Sequence, residues 1–118
     1  MKNSELPTYV DGALNLMRIV NAGGDYPGEY LHDEKMSICF REIAIYDKRR
    51  IEMESVGKEI THKIVIPRYQ KIDTRCVCVI NGEQNEVYNV AHITNKNGFP
   101  ETEITLIKPK RKREMEVE

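Results

Sequence analysis

Tryptophan is absent, and the other aromatics are six tyrosines and two phenylalanines in 118 residues, so a core must be built from Ile, Val, Leu and Met. There is no charge excess either. Eighteen basic against nineteen acidic side chains leave a formal net charge of −1, which removes global charge as an argument for nucleic-acid binding. No apolar run approaches the roughly 20 residues a helix needs to cross a bilayer, so no membrane partner is expected. The N-terminus, Met1 to Pro7, lacks an apolar signal-peptide core, and export by that route is not expected. Cysteine is limited to Cys39, Cys76 and Cys78, an odd set without the spacing of a disulfide framework.

What is present is ordinary for a folded domain. Hydrophobic residues at 40% stand against 31% charged, and the length suits one core with no room for a second. Cys76 and Cys78 lie two apart in a strand-like run and leave it on one face, as small apolar fillers in a reducing compartment would. A zinc site would have to recruit His62 or His92 and lacks a second cysteine pair, so neither metal nor cofactor is expected.

Hydrophobic alternation marks a series of strands. After the turn-forming Asp11-Gly12, residues 13–20 (ALNLMRIV) read as the first. Residues 21–35, with Gly23-Gly24 and Pro27-Gly28, read as a turn-rich loop, either mobile or packed at a subunit contact through Tyr26 and Tyr30. Residues 36–46 (MSICFREIAIY) form a long strand with a phase change. An extra residue near Arg41-Glu42 would bring Ile38, Phe40, Ile43 and Ile45 to one face, as a β-bulge does. Three further strands follow at 61–67 (THKIVIP), 75–80 (RCVCVI) and 86–93 (EVYNVAHI), the last two joined through Asn81-Gly82, a strong hairpin signal. Residues 94–100 are a loop and 102–108 (TEITLIK) the last strand. The expected fold is mainly β, a small antiparallel β-barrel over residues 1–109.

Two segments do not fit a barrel. Residues 47–61 (DKRRIEMESVGKEIT) carry seven charged side chains between Lys48 and Glu59, with Met53, Val56 and Ile60 at helical offsets. Asp47 can cap a helix, while Gly57 weakens it, so the insertion is either a marginal amphipathic helix or a long mobile loop. After Pro109 the chain becomes KRKREMEVE, and residues 110–118 are expected to be a flexible charged tail. Its basic run, Lys110, Arg111, Lys112 and Arg113, is a candidate assembly tail. It can add as a strand to a neighbour's sheet edge, dock on an acidic surface, or only aid solubility.

The order of these elements from Arg41 to Pro109 resembles the head-closure, or head–tail joining, family of long-tailed bacteriophages. The matching features are Thr61, His62, Ile64 and Ile66 followed by the basic Arg68, then the strand pair from Val77 to Val90 about Gly82. Tyr88 and Val90 supply a Tyr-x-Val closing element, and the YVDGALNL start, Tyr9 to Leu16, is similar to the family's N-terminal strand. Two departures stand out. Members commonly carry a tryptophan in the strand before the insertion, where this chain offers Phe40, and Pro67 interrupts the junction ahead of Arg68.

The resemblance implies a structural protein and not an enzyme. It would be a connector subunit forming a ring, twelve-fold in the family, below the portal and adaptor. The ring closes the DNA-filled head and offers the attachment surface for a tail or tail-terminator protein. Its place is the virion, after assembly in the bacterial host cytoplasm. The channel-facing stopper segment maps to Asp47, Lys48, Arg49, Arg50, Ile51, Glu52, Met53 and Glu54, where the basic side chains would contact packaged DNA without reading its sequence.

Two other function classes make different demands on the sequence. An enzyme would need a nucleophile–base pair, and His32, His62 and His92 lie without a catalytic signature around them, His62 reading as a strand residue bonded across the sheet. A small OB-like barrel binding single-stranded nucleic acid would need aromatic platforms on a basic face, for which Tyr69 beside Arg68 and Lys71, with Tyr88, is the candidate.

Overall fold

A computed structural model describes residues 8–22, 28–45 and 47–116, and within them the alternating runs form six strands and one helix. The strands are β1 (Gly12–Ala22), β2 (Gly28–Glu42), β3 (Ile60–Pro67), β4 (Cys76–Ile80), β5 (Glu83–Thr94) and β6 (Pro100–Ile107), with α1 (Asp47–Ser55) between β2 and β3. Among the described residues these six strands pair with one another antiparallel throughout. The sheet closes on itself in the order β1-β2-β3-β6-β5-β4, with β4 returning to β1 through Asn15↔Val79 to Arg18↔Cys76. The small antiparallel barrel anticipated from strand spacing is the fold.

Period-two alternation explains the core. Leu14 and Leu16 of β1, Ile64 and Ile66 of β3, Cys76 and Cys78 of β4, and Ile104 and Leu106 of β6 are all fully buried in one cluster around Phe40. The intervening positions face the other way. Val77 joins Ile19 and Leu31 in a second, smaller cluster on the outer side of β1, β2 and β4. The β4–β5 hairpin turns at Asn81 and Gly82, both left-handed at φ 53° and 80°, which is the paired conformation an Asn-Gly turn supplies at least cost.

Three register shifts let the short strands curve into a ring. Thr61 is the extra residue in β3 and Tyr88 the extra residue in β5, so both strands flanking β6 bulge near Leu106. The bulge at Tyr88 explains why Val87 and Val90, three apart, reach the same core.

The third shift lies elsewhere than expected. Leu16 pairs with Met36 but Met17 with Asp33, leaving Glu34 and Lys35 as the extra residues of β2. Lys35 adopts φ 58°, and its freed amide donates to Asp33 Oδ1 at 2.7 Å. At Arg41-Glu42, where the sequence pattern suggested a bulge, the ladder to β3 is regular. Ile43 still donates its amide to the Lys63 carbonyl at 2.8 Å, and then the chain leaves the sheet. Ile45 packs instead against Met53, Ile60 and Ile107.

Residues 21–35 also depart from the loop reading. β1 runs to Ala22 and β2 begins at Gly28, with the ladder unbroken from Ala22↔Gly28 to Met17↔Asp33. The turn residues Gly23, Gly24 and Pro27, with Tyr26, lie outside the described residues, and Tyr30 is a half-buried strand residue. Composition misled here because, of this arm's described residues, Met17, Ile19 and Leu31 supply its apolar cluster, so most other positions are free to be polar.

Candidate functional site: the charged helix and the C-terminal segment

The insertion between β2 and β3 resolves into a helix with a defined stop. Asp47 stands in the first turn, where a carboxylate complements the helix dipole. At the other end Lys58 donates its amide to the Met53 carbonyl at 3.0 Å and Gly57 to that of Glu54 at 3.0 Å, while Gly57 sits at φ 80°. That pair of bonds around a left-handed glycine is a Schellman stop. Gly57, which weakens a longer helix, is what ends this one.

Met53 is the helix's one buried side chain, packed with Ile45, Ile60 and Ile107. Asp47, Lys48, Arg49, Arg50, Ile51, Glu52 and Glu54 are exposed. Val56 and Ile51 are each 65% exposed, so of the three apolar residues at helical offsets only Met53 secures the helix, and Ile60 belongs to β3. The stopper candidates therefore form a charged helix displayed on a single apolar anchor.

The tail candidates behave differently. Lys108 donates its amide to the Glu59 carbonyl at 2.9 Å, and after Pro109 the chain lines a cleft of about 760 Å³ with Lys110, Arg111 and Lys112 exposed. Then it docks. Leu31 of β2 donates its amide to the Glu114 carbonyl and accepts one from Glu116, both at 2.9 Å, a parallel bridge at the β2 edge that β3 leaves open. The expected free tail is a bound segment up to Glu116.

Arg113 is the centre of that attachment. Its main chain exchanges two hydrogen bonds with the Gln84 side-chain amide, at 2.7 and 3.0 Å. Its guanidinium donates to Glu29 at 3.0 and 3.2 Å and to Glu86 at 2.6 Å. Partial burial works against the Arg113 charge, yet Glu86 and Glu29 outweigh it and hold its pKa above the ordinary arginine value. Arg113 and then Arg75 hold the Glu29 carboxyl below its ordinary value. At the far end the Glu116 carboxylate contacts His32, raising the imidazole pKa.

Gln84, Glu29, Glu86 and His32 carry no signal in the sequence that marks them as a receptor. The alternation of Glu114, Met115, Glu116 and Val117 is a strand-like pattern that could have been read, and the surrounding charge obscures it.

The other singled-out residues do not converge. Tyr69 donates its amide to Thr102 Oγ1 at 3.0 Å and its hydroxyl to Met36 Sδ, while Tyr88 lies at the bulge beside Leu106 with Lys58 Nζ 6.0 Å from its ring centre. The two tyrosines thus occupy opposite ends of β6 and form no shared platform. His62 Nδ1 lies 3.2 Å from Glu42 Oε1 on the neighbouring strand, and His92 Nδ1 2.9 Å from Thr102 Oγ1, both cross-sheet contacts. Cys76 and Cys78 are buried free thiols, as their spacing implied, and Cys39 is exposed. No protein-family model matches the chain, and no curated protein matches it in sequence.

Proposed function

We propose that this chain is a non-enzymatic connector subunit of a long-tailed phage. On this reading it assembles as a ring under the portal and adaptor, closes the filled head and presents the surface to which the tail attaches. The observation that carries the proposal is the helix Asp47–Ser55. It stands between the second and third strands of the barrel, the position that the family resemblance assigns to a channel-facing insertion, and Met53 is its one buried side chain.

A segment so lightly anchored can be repositioned without disturbing the barrel, which a stopper that must open requires. Lys48, Arg49 and Arg50, repeated around a ring, form a positive band suited to phosphates irrespective of sequence. Glu52 and Glu54 on the same helix limit the net attraction, so that exit of the DNA stays possible.

The test is DNA retention by tailless heads assembled with and without this protein, counted by electron microscopy. Heads should keep their DNA only when the protein is present, and the triple substitution of Lys48, Arg49 and Arg50 by Gln should increase leakage. Equal retention with and without the protein would refute head closure.

A further inference from the structure

The C-terminal segment occupies a receptor that is fully formed by other parts of the barrel. Gln84 of β5 presents both its amide donor and acceptor to the Arg113 main chain, Glu29 and Glu86 take the guanidinium, and Leu31 supplies two main-chain bonds. These contacts specify a short peptide: an arginine followed by a strand-like stretch.

What the receptor holds is almost entirely polar. Met115 remains 46% exposed, and none of the residues from 113 to 116 joins an apolar cluster. Little apolar burial resists release, so the segment can leave and re-form the same bonds on an identical receptor.

The tether favours the chain's own receptor at low protein concentration, but the route into the receptor does not close off an identical one on a second copy as concentration rises. Between Lys108 and Arg113 the chain lines the open cleft, and Lys110, Arg111 and Lys112 have no hydrogen-bond or ion-pair partner among the described residues. Lys110, Arg111 and Lys112 stand beside Lys58 and Lys108 in a cleft that Glu29, Glu86 and Glu114 also line, so their mutual repulsion is only partly offset and eases when the connecting stretch extends. An exposed connector with a proline at its root, leading to a polar strand in a pre-built receptor, is the arrangement from which protomers exchange an element.

We infer that residues 113–116 exchange between copies: the segment of one chain docks on the Leu31 edge of the next, in the bonds it makes within its own chain here. The partner is a second copy of this protein. This rests on the ring reading for its biological setting, but the exchange can be tested by itself.

The experiment mixes two full-length chains, each with Cys39→Ser to remove the exposed thiol. One carries His32→Cys and the other, isotopically heavy, carries Glu116→Cys; a short bis-maleimide is added and the masses are read. Exchange gives a light–heavy cross-linked pair whose yield rises with protein concentration, and Arg113→Gln in the heavy chain lowers that yield at least fivefold. A chain bearing both cysteines, which cross-links within itself at high dilution, verifies that the two sites are within reach of the reagent. Absence of the light–heavy pair while that chain cross-links overturns the exchange.

Native mass spectrometry of the unsubstituted chain is run alongside. Rings without the light–heavy pair leave the connector reading standing and remove the exchange. The light–heavy pair without rings supports the exchange and counts against the connector.

Discussion

The Tyr9 hydroxyl donates to Glu101 Oε2 at 2.7 Å, joining residues 92 apart in sequence. Glu101 is fully buried, and Arg41 reaches it with both terminal nitrogens at 3.4 Å while lying 5.7 Å from the Tyr9 ring centre. The N-terminal approach to β1 is thereby locked onto β6 and β2.

Removing the two partners of Glu101 should have unequal effects. Tyr9→Phe keeps the ring under Arg41 and loses one hydrogen bond to a charged group, about 1.5–3 kcal/mol. Arg41→Ala leaves a buried carboxylate without its counter-charge and should cost more, about 3–5 kcal/mol, toward the low end because Arg41 is partly solvated. Urea denaturation of both variants checks the order. A smaller loss for Arg41→Ala than for Tyr9→Phe would mean that Glu101 is held by other means.

The barrel was legible because its signals are periodic. Leu14/Leu16, Ile64/Ile66, Cys76/Cys78 and Ile104/Leu106 each repeat at two, and Asn81-Gly82 names its own turn. The helix was ambiguous for a physical reason: one buried side chain, Met53, leaves almost no amphipathic stripe to detect. The hairpin arm and the Arg113 attachment were not legible. Glu29, Gln84 and Glu86 meet Arg113 from strands distant in sequence, and polar pairings of that kind leave no repeat.

The single anchor makes the helix separable from the barrel. Met53→Ala should cost about 2 kcal/mol, the lower end for such a truncation because its cluster is small and peripheral. Gly57→Ala should cost about 1 kcal/mol through its left-handed backbone alone, since an added Cβ would meet nothing within 4 Å. Amide exchange in Asp47–Ser55 should accelerate in both variants while that of β4 and β6 changes far less. Equal acceleration throughout would show that helix and barrel open together.

Docking of the C-terminal segment should depend on pH in both directions. The bond to Glu116 raises the His32 pKa against some desolvation, with Glu116, Glu34 and Asp33 adding to the rise. Its contribution is full below the ordinary imidazole value of about 6.5 and is lost as pH climbs through the raised one. Glu29 is shifted the opposite way, so its contribution is present above its ordinary value and fades as pH falls through the depressed one. Order at Glu116, followed by amide NMR relaxation, should therefore peak in mildly acidic solution and decline as pH rises through the raised imidazole value. His32→Gln should flatten the alkaline decline only, and an unchanged decline in that variant would exclude the imidazole as its source.

Thiol reactivity reports whether the ring of strands stays closed, because β4 contributes two cysteines to its interior and the β2 surface bears the third. Cys39 is exposed, whereas Cys76 and Cys78 have no solvent exposure. Burial, with a smaller effect from neighbouring Cys76, pushes the Cys78 thiol up to about 12, and burial raises Cys76 as well. Only the thiolate attacks a disulfide reagent, so burial and suppressed ionisation act in the same direction. One thiol per native chain should react rapidly, and the other two only at the rate at which β4 separates from β1 and β5. Cys78→Ala loses packing alone, but Cys78→Ser also places a hydroxyl in an apolar core, at about 1–3 kcal/mol if it finds no partner. Serine should therefore speed the slow phase more than alanine does, and three thiols reacting together in the native protein would mean that β4 does not close the ring.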